Sequence, residues 1–339
     1  MPCGFDDAMK RFDFRGIHPL IFMGTASDRY AGWLGQVYRA ERYHGRITSR
    51  THSVGGKSFT ERVVPVESVV EYFRHFRVLE LDFTFYDTLL DARGNPTRTH
   101  QALSAYARHL PGDGALFLKV PQIIFAQKIR RKNGYIANEN YLDPAVFMKR
   151  FYEPAIGLLS HRLSGLIFEQ EYQRSADRVS PDAFAKGLDQ FFSSVPRDGR
   201  YHVEIRTSGL LTDPVFEVMK HYGVGQVLSH WTWLPRLSEQ FRKGGRRFLN
   251  ERNDCVIRLM TPRGMRYEQA YAKAHPFDSL VPGMMDPGMV ADTARIMREC
   301  VNEKARVAVI VNNRSGGNAP LIARQIAFSY LEGSEKKEN

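Results

Sequence analysis

Six of the ionisable side chains inside short apolar runs of this sequence stand out, because a charge there needs an explanation. Glu80 and Asp82 occupy alternate positions of Val78–Phe85, and Glu204 and Arg206 alternate positions of Tyr201–Arg206; Lys119 and Arg258 lie in Ala115–Val120 and Cys255–Met260. Residues two apart on a strand share a face, so each pair points the same way. One chemistry that fits is an anion pocket, in which Arg206 and Arg258 are guanidinium forks for phosphate or carboxylate, Lys119 adds a point charge, and Glu80 or Glu204 is a general base. The same residues also suit a network that neutralises itself, since a charge in an apolar interior costs several kcal/mol unless paired. A third arrangement, Glu80, Asp82, Glu204 and His230, has the oxygen-and-imidazole donors of a Mg or Mn site. Three basic side chains close by would repel a cation there, so the expectation is that no metal binds.

The stretch Asn312 to Pro320, NNRSGGNAP, is the clearest local signal. Its glycines let backbone N–H groups turn inward, Asn318 suits a helix cap and Pro320 a first turn, so a helix start faces whatever lies there. Asn312, Asn313, Gly317 and Asn318 are therefore ligand-binding candidates, with Arg258 and Arg263 expected to meet them at one anion site. As an alternative, the glycines only make a tight turn. Gly55-Gly56-Lys57-Ser58 ends like a phosphate loop, but the first glycine of that motif falls on Thr51 and no strand immediately precedes it, so it is set aside.

Basic residues cluster at Arg39–Arg62, at Lys128, Arg130, Arg131 and Lys132, at Arg236–Arg247, and at Arg263 and Arg266. Trp33, Tyr38, Tyr43, Trp231 and Trp233 interleave with them. Aromatic rings beside a basic groove are what a single strand or a flipped base stacks on.

Eight short β-branched runs position these residues: Leu20–Thr25, Val78–Phe85, Ala115–Val120, Gly165–Gln170, Tyr201–Arg206, Gln226–Trp231, Cys255–Met260 and Val307–Asn312. A stretch of helical spacing follows each, for example Pro65–Phe76, Pro144–Ser160, Pro287–Asn302 and Ala319–Leu331. Strands alternating with helices must pair in parallel, and eight such units predict an α/β fold, an eight-stranded parallel (β/α)8 TIM-type barrel over 18–332, with a 1–17 extension and a polar tail at 333–339. In such barrels the loops at the strands' carboxyl ends build the site, and the candidate residues and basic clusters all fall there.

Lysine and arginine number 48 against 37 acidic residues, a net charge of +11, which favours a polyanionic partner. No run approaches the roughly 18 apolar residues of a membrane span, and the first residues, MPCGFDDAMKRFDF, lack a signal-peptide core, so a cytoplasmic protein with no membrane partner is expected. Cys3, Cys255 and Cys300 are too few and too far apart in sequence for a disulfide framework or zinc site.

Six pieces in order resemble the domain-of-unknown-function-72 (YecE-like) family of eight-stranded barrels. They are GTASDRYAGW from Gly24, ELDFTFY from Glu80, FLKVP from Phe117, EIR from Glu204, VIRL from Val256, and VNN from Val311 with GGNAP ending at Pro320. The chain departs from the family pattern at Asp82, at Phe125-Ala126 and at Met260-Thr261, as a divergent member would, and a role resting on the histidine missing after the seventh strand does not transfer. The family is similar in fold to the endonuclease IV and xylose isomerase barrels, an analogy of fold only.

The sequence thus points to a barrel that binds a phosphate-bearing or other anionic ligand at its C-terminal face, nucleic acid included, and calls for no cofactor. The alternatives are a metal-assisted sugar or sugar-phosphate isomerase or lyase, and a non-catalytic binding module.

Overall fold

Eight parallel strands close on one another in the computed structural model of the chain, which describes residues 4–131 and 134–335. They are β1 (Ile21–Ala26), β2 (Val78–Leu81), β3 (Ala115–Lys119), β4 (Leu163–Gln170), β5 (Tyr201–Ile205), β6 (Gly225–His230), β7 (Asp254–Leu259) and β8 (Arg306–Val311). Each pairs with its sequence neighbours, and β1 closes the ring by pairing with β8, Ile21 opposite Val307 through Thr25 opposite Val311. This is the TIM-type barrel that alternation predicts. Lys132, Cys3 and residues 336–339 of the polar tail lie outside the described residues.

Strand alternation sorts the interior into layers. Phe117, Ile167, Val227, Val256, Ala308 and Ile310 form an apolar middle. Charged residues flank it on both sides, Glu80, Lys119, Glu169, Glu204 and Arg258 at the carboxyl ends and Asp254 and Arg306 at the amino ends. A second, larger core lies between the strands and the surrounding helices. The N-terminal extension joins it, with the ring of Phe14 stacked 4.8 Å from that of Phe76.

Three local departures from the sequence reading have physical causes. The run Val78–Phe85 is not one strand: Asp82–Phe85 is a 3-10 turn, pinned because the Thr84 hydroxyl donates to the carbonyls of Leu81 at 3.0 Å and Lys119 at 2.7 Å. Glu80 and Asp82 therefore do not share a strand face. The helix over Pro144–Ser160 carries a π-turn at Met148–Tyr152. Pro154, having no N–H, cannot donate to the Arg150 carbonyl, which instead accepts from the backbone of Leu89 at 2.9 Å and Leu90 at 3.0 Å. The long basic stretch after β1 is a hairpin, Thr48–Val54 with Lys57–Val63, whose two-residue turn is Gly55-Gly56 with φ of +59° and +78°. Both positions require positive φ, the I′ geometry that glycine permits, and this is why those glycines resemble a phosphate loop in sequence.

Candidate functional site

At the carboxyl ends of the strands, three acids meet three bases. Arg258 is wholly buried and binds Glu80 through a two-pronged contact, Nε to Oε2 at 2.7 Å and Nη2 to Oε1 at 2.6 Å, while its Nη1 donates to Glu204. Lys119 pairs with Glu169, and Arg206 reaches Glu169 at 2.7 Å and Glu204 at 3.3 Å. Arg206 Nη2 donates a long hydrogen bond to Glu204 Oε2 at 3.5 Å, while Arg206 Nε and Glu204 Oε1 have no hydrogen-bond partner. The six charges cancel. Burial pushes the carboxyl of Glu80 up more than Arg258 pulls it down. Burial also raises Glu169, but Arg206, Lys119 and Arg258 together overcome it and hold that carboxyl at about 2. The ammonium of Lys119 is lowered by burial, with the two arginines opposing Glu169.

Above this floor, rings and cations alternate across the mouth. Arg314 lies 4.5 Å over the ring of Tyr267, and Tyr267, Arg314, Asp82 and Glu169 all act electrostatically on the Tyr86 hydroxyl. Tyr86 contacts Phe85, whose ring Lys119 overlies at 3.9 Å. Beyond Glu169, Arg206 lies 5.1 Å over Trp231, whose ring is 5.9 Å from Tyr172, itself 5.9 Å from Trp233. Among the described residues every exposed large apolar side chain, Tyr86, Tyr135, Ile136, Tyr172, Trp233 and Tyr267, sits on a connection leaving a strand's carboxyl end or at the helix start that follows it.

The strand-eight loop turns its polar groups into the fold. Asn312 Oδ1 accepts from the Arg314 N–H, Asn313 Oδ1 from Trp33 and the Ala319 N–H, and Asn318 donates to the Phe277 carbonyl while capping Leu321. Arg258 points inward to Glu80 and Glu204, and Arg263 lies 3.8 Å from Asp286, so these groups do not meet at one site. Nor do the four residues of the metal arrangement converge: Glu80 and Glu204 are held by Arg258, Asp82 accepts from the Ser27 hydroxyl, and among the described residues no group of three or more His, Cys, Asp or Glu is disposed to hold an ion. His230 is buried with Nε2 unpartnered, and burial lowers its ring to about 4.

Sequence reasoning missed Glu169, although the alternation that singled out Glu204 applies equally to Gly165–Gln170. It missed Tyr86, Tyr172, Tyr267 and Arg314 because lone loop aromatics carry no periodic signal. Of the five proposed stacking residues, Trp33, Tyr38 and Tyr43 are buried and pack on one another.

At the rim, Asp28 is buried, accepts from the Tyr106 hydroxyl at 2.6 Å and leaves Oδ2 unpartnered; burial pushes its carboxyl up to about 6. Since the unfolded chain holds that proton only below about 3.9, the native state binds more protons between the two values. The contribution of Asp28 to stability is therefore full below pH 4 and is lost as pH rises through 6. Asp28→Asn is expected to remove about 2–3 kcal/mol of pH dependence over that interval, read by denaturant unfolding at pH 4.5 and 7. Equal pH slopes for the two proteins would show that Asp28 titrates normally.

A family model described as "Protein of unknown function DUF72" matches residues 22–337. Among curated proteins none matches. In structure the chain is similar to a DUF72 family protein from Enterococcus faecalis V583, with a TM-score of 0.54 and 15% identity over 92% of this chain and 95% of that one. It is also similar to a DUF72 family protein from Thermotoga maritima MSB8, with a TM-score of 0.53 and 15% identity over 92% of this chain and 99% of that one. At that identity the likeness is one of fold.

Proposed function

This chain belongs to the DUF72 family of proteins of unknown function, and we propose that its barrel mouth binds single-stranded nucleic acid, the bases stacking on Tyr267, Tyr86, Trp231, Tyr172 and Trp233 and the phosphates lying against the basic side chains between them. The observation that carries this reading is a set of cations over rings at 3.9–5.1 Å across the mouth, continued at one end by ring pairs 5.9 Å apart. Stacking is worth about 1–3 kcal/mol per base and tolerates any base, while a strand's phosphates seek positive potential, which the net charge of +11 supplies. Lys119 and Arg206 stand at the centre of the track, Arg314 at one end. In this reading Arg258, Glu80 and Glu204 form the floor, and Asn312, Asn313, Gly317 and Asn318 hold the rim loop in shape. The basic clusters lack a recognition-helix pattern, so binding is weakly sequence-specific and salt-dependent, with log affinity falling by about 0.7 per neutralised phosphate for each unit of log salt.

The three tryptophans make the test direct. Trp33 is buried, Trp231 half-buried and Trp233 44% exposed, so emission quenching reports chiefly on the mouth. A short oligothymidylate at low salt is expected to quench emission saturably, and Tyr172→Ala with Trp233→Ala to weaken binding about tenfold in an anisotropy titration. Absence of binding at low salt, or equal affinity for a duplex, would overturn the proposal.

A further inference from the structure

The opposite end of the barrel carries a cluster of like charge that the mouth does not explain. A cavity of about 400 Å³ opens beneath the amino ends of the strands, lined among others by Arg200, Arg252, Arg306, His161, Ser164 and Asp198. The three guanidinium groups share two carboxylates. Arg200 binds Asp198 through Nε at 2.8 and 2.9 Å; Arg306 binds Asp254 through Nε at 2.9 Å, and Arg252 has only the outer side of that same carboxylate, at 3.4 Å, and the Ser164 carbonyl at 3.2 Å. A fourth guanidinium, Arg77, lies 4.2 Å over the ring of Phe22, which Arg306 also overlies at 5.1 Å, and it donates to the carbonyls of Pro19 and His18. Where the floor of the mouth balances three bases with three acids, this end has a surplus of positive charge around an open space.

Such crowding is unfavourable without a counter-charge. Burial and the neighbouring Arg306 and Arg200 lower Arg252, and burial, Arg15 and Arg306 lower Arg77, so these two cations are held against the repulsion of their neighbours. Of the three lining arginines Arg252 is the least engaged, and its side chain is 37% exposed. Planar guanidinium forks around a concave space complement the oxygens of a phosphate group. We propose that this cavity at the amino-terminal end of the barrel is a binding site for a phosphate monoester, with Arg252 as its principal contact and Arg200 and Arg306 flanking it. The phosphate group occupies the space between the three arginines, and the remaining volume takes the small organic part of the ester. The site is independent of nucleic-acid binding at the mouth.

The test is calorimetric titration of the full chain with inorganic phosphate and with ribose 5-phosphate, at constant ionic strength. Both are expected to bind saturably, the ester more tightly because the cavity exceeds a phosphate ion. Arg252→Gln, which keeps the aliphatic stem and a polar end but removes the guanidinium charge, is expected to weaken both about tenfold or more, the loss of one charge-assisted contact. Trp233→Ala, at the other end, should leave both affinities unchanged. A purely structural role for the cluster gives a different result: Arg252→Gln changes thermal stability, but neither protein shows saturable binding or a phosphate-dependent shift in melting temperature. That outcome, or binding that Trp233→Ala abolishes and Arg252→Gln does not, would overturn the site.

Discussion

Arg258→Met is expected to lower the free energy of unfolding by about 3–5 kcal/mol, the cost of leaving buried carboxylates without their partner. The methionine fills much of the volume, so packing loss is small beside the electrostatic one. Glu80 loses both prongs of its contact, and Glu204 keeps Arg206, at 3.3 and 3.5 Å, as its charged partner. Adding Glu80→Met to Arg258→Met should restore much of the loss, because two apolar side chains replace a pair whose desolvation was itself costly, and the double change should fall well short of the sum of the single ones. Urea unfolding of the four proteins at pH 7 measures this. A loss under about 1 kcal/mol for Arg258→Met, or strict additivity, would mean that the three acids and three bases are not one unit.

Gly317→Val is expected to cost about 4 kcal/mol or to prevent folding, combining backbone strain with overpacking. Gly317 has φ of +115°, a conformation closed to side chains, and an added Cβ would lie 2.3 Å from the Ser279 carbonyl oxygen and 2.9 Å from the Val281 nitrogen. The glycine thus serves the meeting of the strand-eight loop with the segment before it, where the Val281 N–H donates to the Gly316 carbonyl at 2.9 Å. Thermal denaturation gives the answer. A melting temperature within a few degrees of the parent would show that the loop can relax away from Ser279.

The barrel was legible because its signal is repeated. Eight β-branched runs with helical stretches between them leave no other arrangement of parallel pairs as economical, and apart from Val78–Phe85, which ends as a strand at Leu81, the strand ends shift by only a residue or two, as Leu20–Thr25 does to Ile21–Ala26. The charged interior was legible for the same reason: Glu80, Lys119, Glu204 and Arg258 are exceptions within apolar runs, and they do converge. What they do together was not legible, since an anion pocket and a self-neutralising floor use the same residue types, and only the positions of Glu169 and Arg258 decide how the charges pair. The hairpin at Lys128–Arg131 and Gly134–Ala137 was read only as a basic cluster. The rings of the mouth come from four separate connections, and nothing local in any one of them announces the others. The same holds for the arginines at the amino end, Arg200, Arg252 and Arg306, which lie 52 to 106 residues apart in sequence, each at or just before the start of a strand.

The central claim is that a strand lies across the rings of the mouth, and ultraviolet cross-linking of the protein to an oligothymidylate at low salt, with the linked peptides identified by mass spectrometry, tests it most directly. Linked peptides are expected to contain Tyr86, Tyr172, Trp231, Trp233 or Tyr267, and to fade as salt rises. Cross-links confined to peptides from elsewhere on the barrel, or none at a concentration where the oligonucleotide is bound, would contradict it.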